Sequence, residues 1–175
     1  MYFFLLFFLF IFLGISIIAA ILMLSLLVGL VQTRGVPFIS TAAKDFDKIL
    51  SVMQLKAGDK LYDLGCGKAH FLIYAASKCD ICGVGYELSF WPYLWARFNV
   101  WISGAKVKIY LKNFLTADLS DADMVFCYLF PEAMVKLEDK FQQELKIGAM
   151  VVSNSFPLPQ LKPAKTLDKI LVYRF

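Results

Sequence analysis

The chain has 175 residues, 59% of them hydrophobic and 18% charged, with a net charge of +4. A soluble domain averages about 45–50% apolar and about 25% charged residues, so an ordinary soluble protein, a disordered chain and a collagen-like chain are all excluded. Basic and acidic residues are interleaved and no Lys/Arg run resembles a nucleic-acid patch, so no nucleic-acid partner is expected.

Residues 1–33 contain no Asp, Glu, Lys, Arg or His. A single bilayer crossing takes ~20 apolar residues, and the run 2–31 exceeds this without a polar turn for a second crossing. A basic leading segment and a clear cleavage site are both missing, which argues against a secretory signal. The expected organisation is a membrane anchor over 1–33 and one domain over 34–175. Arg34, Lys44 and Lys48 follow the apolar run, and cytoplasmic flanks carry the basic residues. The domain is therefore expected to face the cytoplasm, or the matrix in a mitochondrion. Gly14 and Gly29 form no GxxxG pair, so the oligomeric state stays open.

Gly35 and Pro37 mark a linker over 32–42. From residue 43 the spacing of Phe46, Ile49, Leu50 and Met53 predicts a helix. A turn at Gly58-Asp59 leads into a short strand, 60–63, that runs into Gly65-Cys66-Gly67. A helix is expected over 69–77 and a strand over 81–87. Ser89 is placed to cap the next helix, which has Pro92 in its first turn and ends near 102. Strands are expected at 107–112 and 124–129. Pro131 opens a helix carrying Met134, Leu137, Phe141 and Leu145, and strands at 149–153 and 170–173 complete the chain. Alternating strands and helices imply an α/β fold, with a mostly parallel sheet covered on both faces. The helix after Ser89 is crowded with Phe90, Trp91, Tyr93, Trp95, Phe98 and Trp101. Core packing is the first reading of these rings, and a face resting on the bilayer interface is the second.

The four cysteines, Cys66, Cys79, Cys82 and Cys127, read as reduced thiols. The Cys79–Cys82 pair lacks the further ligands zinc needs, and Asp121 with Asp123 reads as a solvated turn, so no metal is expected. The informative stretch is Asp63-Leu64-Gly65-Cys66-Gly67, followed by Glu87 at the end of the next strand. Glycines let backbone approach a ligand, and the following helix presents free N–H groups. An acid 22 residues past Gly65 can accept both hydroxyls of a ribose. A dinucleotide site wants a third glycine where His70 stands, and Asp63 suits an ammonium better than a pyrophosphate. S-adenosyl-L-methionine (SAM) is thus the expected cofactor rather than NAD. Asn113, after the third strand, is either a partner for the adenine amino group or a turn former.

With these residues the region 36–175 resembles class I SAM-dependent methyltransferases with a Rossmann-like fold. More narrowly it resembles the membrane-anchored lysine methyltransferases that modify the ATP synthase c-subunit and the adenine nucleotide translocase. The resemblance is carried by Val36-Pro37-Phe38-Ile39-Ser40-Thr41, the Asp63–Gly67 loop and Gly85-Tyr86-Glu87-Leu88. It continues through Phe130-Pro131, Val151-Val152-Ser153 and Phe156-Pro157-Leu158-Pro159. It implies that Thr41 reaches the methionine end of SAM, that Asp63, Gly65, Cys66 and Gly67 cradle it, and that Glu87 holds the ribose. Phe130, Pro131 and Glu132 would border the methyl-transfer site. Glu132 is also read as an acid favouring its helix N-terminus, and the general base is not assigned. The loop departs from the family where Lys68 replaces an acid, Ala69 a glycine and His70 an arginine. Methylation of a lysine on a membrane protein is the leading expectation. A lipid-like or quinone-like acceptor, and a catalytically inactive SAM-binding membrane module, are the alternatives.

Overall fold

A computed structural model of the chain describes residues 2–32 and 41–175. The chain divides into two compact units, Met1–Pro37 and Phe38–Phe175. Among its described residues the first is one helix, α1 (Tyr2–Gln32). Its segment Tyr2–Ser25, 24 residues with a mean hydropathy of 3.1, is long and apolar enough to cross a bilayer and is unburied throughout. Residues 33–40, which include Arg34 and most of the Val36–Thr41 piece, lie outside the described residues.

The second unit is a seven-stranded sheet with helices on both faces. In chain order it comprises α2 (Phe46–Met53), β1 (Lys60–Leu64), α3 (His70–Lys78), β2 (Cys82–Glu87), α4 (Phe90–Ser103) and β3 (Val107–Leu111). Then follow β4 (Met124–Cys127), α5 (Pro131–Glu144), β5 (Met150–Asn154), β6 (Lys165–Leu167) and β7 (Ile170–Arg174). The strand order is β3-β2-β1-β4-β5-β7-β6. Neighbours among β1 to β5 run parallel, and β7 is antiparallel to both β5 and β6.

Period-two alternation sorts the strand side chains into two cores. Leu61, Met124, Phe126, Met150, Val152 and Val172 face α2 and α3, which contribute Ile49, Met53, Phe71 and Leu72. Tyr62, Leu64, Val125, Cys127, Val151 and Tyr173 face α5, which contributes Met134, Leu137 and Phe141. Burial on both faces is why these strands read as continuous apolar runs.

The structure corrects several expectations. The strand anticipated over 124–129 stops at Cys127, because its pairing with β1 and β5 ends at Leu64 and Ser153; Phe130 stays extended, as the residue before a proline prefers. The hairpin strand β6 and a short 3-10 helix, Phe114–Thr116, carry no usable periodicity. Ser89 occupies the N-cap position of α4 without a side-chain capping bond; its N–H instead donates to Glu87 Oε1 at 2.7 Å. The aromatic residues of α4 do not pack as core either, since Ala96 is the one buried residue of that helix.

Candidate active site

The chain moves outward from β1 to β2 and β3, then crosses back to place β4 on the other side of β1. Loops at the carboxyl ends of β1 and β4 diverge at such a reversal, which makes the crevice where open α/β sheets bind ligands. Asp63 and Leu64 close β1 there, and the chain enters Gly65-Cys66-Gly67. Gly65 has φ +79°, and a Cβ on it would stand 3.1 Å from Leu129 Cδ2. Gly67 is also left-handed, at φ +55°. The same conformation falls on Ala69, at φ +62°, where a side chain is strained. The glycine that the resemblance places at 69 would relieve this.

Glu87, at the end of β2, clamps the loop. Its Oε2 accepts the Gly67 N–H at 3.0 Å while Oε1 accepts that of Ser89. The carboxylate is buried, and the two bonds pin the loop and the start of α4 to one point. A cleft of about 40 Å³ opens beside this clamp. Thr41, Asp63, Gly65 and Cys66 line it together, with Lys68 and His70. Phe46, Phe71, Phe126 and Tyr128 supply its aromatic wall.

Asp63 is buried and forms no ion pair among the described residues. Burial, reinforced by the charge of Glu87, pushes its carboxyl from the ordinary 3.8 up to about 8. Burial also drives the Cys66 thiol well up, so Cys66 is a neutral wall of the cleft rather than a nucleophile.

Asn113 adopts the turn-forming reading: its Oδ1 accepts the Leu115 N–H at 2.9 Å. It still stands beside the clamp, since the preceding Lys112 N–H donates to the Glu87 carbonyl at 3.0 Å. Phe130 packs on Phe156 at 5.7 Å between ring centroids, and Tyr128 stacks on the same ring at 6.3 Å. Pro131 starts α5 and Glu132 is exposed in its first turn. Asp121 and Asp123 lie at the opposite, amino-terminal ends of β1 and β4. Asp121 accepts from Tyr62 Oη and pairs with Lys60, and Asp123 pairs with Lys146 at 2.5 Å.

Tyr128, which lines the cleft, and Asn154, which closes β5 and does not line it, both escape a reading of the sequence. Tyr128 continues the apolar strand pattern, and only its place just before Phe130-Pro131 hints at the site. Asn154, at the carboxyl end of β5, is fully buried, and its Nδ2 has no partner among the described residues. Ser155 beside it has φ +75°. Buried unpaired donors and strained backbone concentrate at functional sites.

Residues 63–165 match the model of the ANTKMT methyltransferase domain, more than half of the chain. The chain belongs to this family. It is 34% identical over 145 residues to the adenine nucleotide translocase lysine N-methyltransferase of Mus musculus, covering 79% of this chain and 62% of that protein. It is 30% identical over 129 residues to the Homo sapiens lysine N-methyltransferase of the ATP synthase c-subunit, covering 73% and 54%. The chain thus spans little more than half the length of these relatives. Among solved structures, an RNA methyltransferase from Salinibacter ruber in complex with S-adenosyl-L-homocysteine is similar with a TM-score of 0.73 and 30% identity. That match covers 78% of this chain and 92% of the other. The architecture is that of a class I methyltransferase domain.

Proposed function

We propose that this chain is a membrane-anchored methyltransferase that carries a methyl group from SAM to a lysine side chain of a membrane-associated protein. The observation that supports it most is a buried acid without a cation, Asp63, next to a glycine loop clamped by a second buried acid, Glu87. Such a pair fits SAM from both ends. Asp63 receives an ammonium, directly or through water, and that charge relieves its burial. Glu87 keeps lone pairs on both oxygens for ribose hydroxyls, while the loop leaves room for the backbone to close on the ligand. Thr41 lines the same cleft, where the family resemblance assigns it the methionine end.

When bound, SAM supplies an electrophilic methyl group whose leaving group is a neutral thioether and needs no acid. The protein then has to orient the acceptor and exclude water. Tyr128, Phe130 and Phe156 form an aromatic wall suited to the apolar stem of a lysine, and a dry wall favours the neutral amine that reacts. The anchor reading rests on α1 together with Arg34, Lys44 and Lys48 after it. The curated relatives, named for lysine methylation of the translocase and of the ATP synthase c-subunit, favour a lysine acceptor on a membrane protein.

The test incubates the purified full chain with methyl-labelled SAM and total membranes. Label released as methylated lysine supports the proposal. Label in lipid or in RNA assigns another acceptor class, and absence of transfer with intact SAM binding identifies a binding module.

A further inference from the structure

The side of α4 turned away from the sheet is apolar and uncovered. Phe90, Leu94, Trp95, Phe98, Trp101 and Ile102 are all exposed, Trp101 to 77%. At ~100° per residue these positions occupy one continuous arc of roughly 140°. The opposite side holds the helix in place, through buried Ala96 and through Asn99 Nδ2, which donates to the Lys68 carbonyl at 3.0 Å. Arg97 is the single charged residue of the helix. Beside it runs β3, the edge of the sheet. The groove between them, about 420 Å³, is lined by Arg97, Trp101, Lys108 and Tyr110. A contiguous exposed apolar patch rimmed by polar residues marks a surface that meets a partner or a membrane.

We propose that α4 is a membrane-docking helix of the catalytic domain. It lies in the interfacial layer of an anionic bilayer, with its rings among headgroups and upper acyl chains and with Arg97 and Lys108 on lipid phosphates. The occupant is lipid for three reasons. All three tryptophans of the chain, Trp91, Trp95 and Trp101, are on this helix, and tryptophan favours the membrane interface. Arg97 flanks the apolar arc, Lys108 of β3 stands across the groove and no acidic residue lines that groove; basic groups beside an apolar helical face add attraction to anionic lipid. Finally, residues 33–40 reach at most ~3.6 Å each, which keeps a bilayer in range once α1 is inserted; this last reason rests on the anchored reading of α1.

Docking of α4 goes beyond tethering. Its first turn follows Glu87 directly and its Asn99 grips the glycine loop, so fixing α4 on lipid fixes how the cofactor cleft faces the membrane surface. The acceptor lysine is then selected by its depth at that surface as well as by its neighbours.

The tryptophans themselves provide the test, because tryptophan fluorescence, excited apart from tyrosine, reports α4 alone. The chain is reconstituted into phosphatidylcholine–phosphatidylglycerol vesicles, some carrying acyl chains brominated near the headgroup. The expected result is strong quenching by the brominated lipid together with severalfold protection from acrylamide. Phe98→Glu combined with Ile102→Glu keeps all three reporters and alters exposed positions only. It should restore acrylamide access while the chain still floats with the vesicles. Wild-type tryptophans open to acrylamide and insensitive to bromine, in a chain that floats, overturn the docking proposal and leave the anchor intact. Shielding from acrylamide without bromine quenching means that a second copy or another protein covers the face, and this also overturns it. A chain that fails to float overturns both docking and anchor.

Discussion

Burial makes Asp63 a weak acid in the folded chain. Its carboxyl stays protonated to about pH 8 in the folded chain, whereas the unfolded chain releases that proton near 3.8. Between these values the folded state holds one more proton than the unfolded state, so this group makes stability fall as pH rises through that window. The slope approaches about 1.4 kcal/mol per pH unit for one full proton. Urea melts of the ligand-free protein and of Asp63→Asn should therefore diverge in favour of the variant from pH 5 to 8, then run parallel above it. Melts that stay parallel throughout would show that Asp63 ionises freely in the folded state. SAM binding at pH 7 should also release a proton from Asp63, since an ammonium beside a carboxyl lowers its pKa. Titration calorimetry in buffers of different ionisation enthalpy reads that proton directly.

Glu87 has a structural duty and a ligand duty. Its bonds to the Gly67 and Ser89 N–H groups are charge-assisted, a class worth about 1.5–3 kcal/mol each. Glu87→Ala should weaken SAM at least about tenfold, because ribose hydroxyls lose an ionised acceptor. It should also lower stability by roughly 2 kcal/mol, once water replaces part of the lost bonding. Calorimetry on a variant with native circular dichroism separates these effects. Unchanged affinity would remove Glu87 from the ribose.

At the scale of elements, α5 does more than cover its face of the sheet. Glu138, buried on α5, accepts the N–H groups of Gln160 and Leu161 at 3.0 and 2.7 Å. Tyr173 Oη on β7 accepts the Leu158 N–H at 3.0 Å. These two side chains hold the irregular segment after β5, which carries Phe156, the ring on which Tyr128 and Phe130 pack. Glu138→Ala leaves buried N–H groups unpaired and should cost about 2–3 kcal/mol. Amide exchange should rise at 156–161 more than in β1 or β4. An equal rise across the whole sheet would mean that this segment unfolds only with the domain. The loop is a second case of joint positioning, since β1 delivers it, β2 clamps it through Glu87 and α4 grips it through Asn99. Neither Glu87 nor Asn99 is adjacent to the loop in sequence.

For the molecule as a whole, deleting residues 1–31 should abolish preference for membrane acceptors while SAM affinity stays intact. Tethering raises the local concentration of acceptors at the bilayer and excludes most soluble ones. Comparing methylated lysines in cells expressing the full and truncated chains at equal levels tests this. Equal modification of the same target would show that proximity does not select it.

The anchor-length run, five parallel strands, three following helices and the Asp63–Gly67 loop could all be read from the chain. Each is encoded locally, by an unbroken apolar run, by an apolar stretch between glycines, or by a glycine where a Cβ would be strained. The Glu87 position was legible too, because strand and loop lengths fix where β2 ends. What tertiary structure alone decided were properties created by neighbours distant in sequence. The same aromatic residues that suggest a core on a helical wheel are exposed on α4, because none of the described residues packs over them. Tyr128 enters the cleft because β4 ends at Cys127 beside β1. Asp63 is an ordinary aspartate in sequence and becomes a weak acid only where folding strips its water and brings Glu87 near.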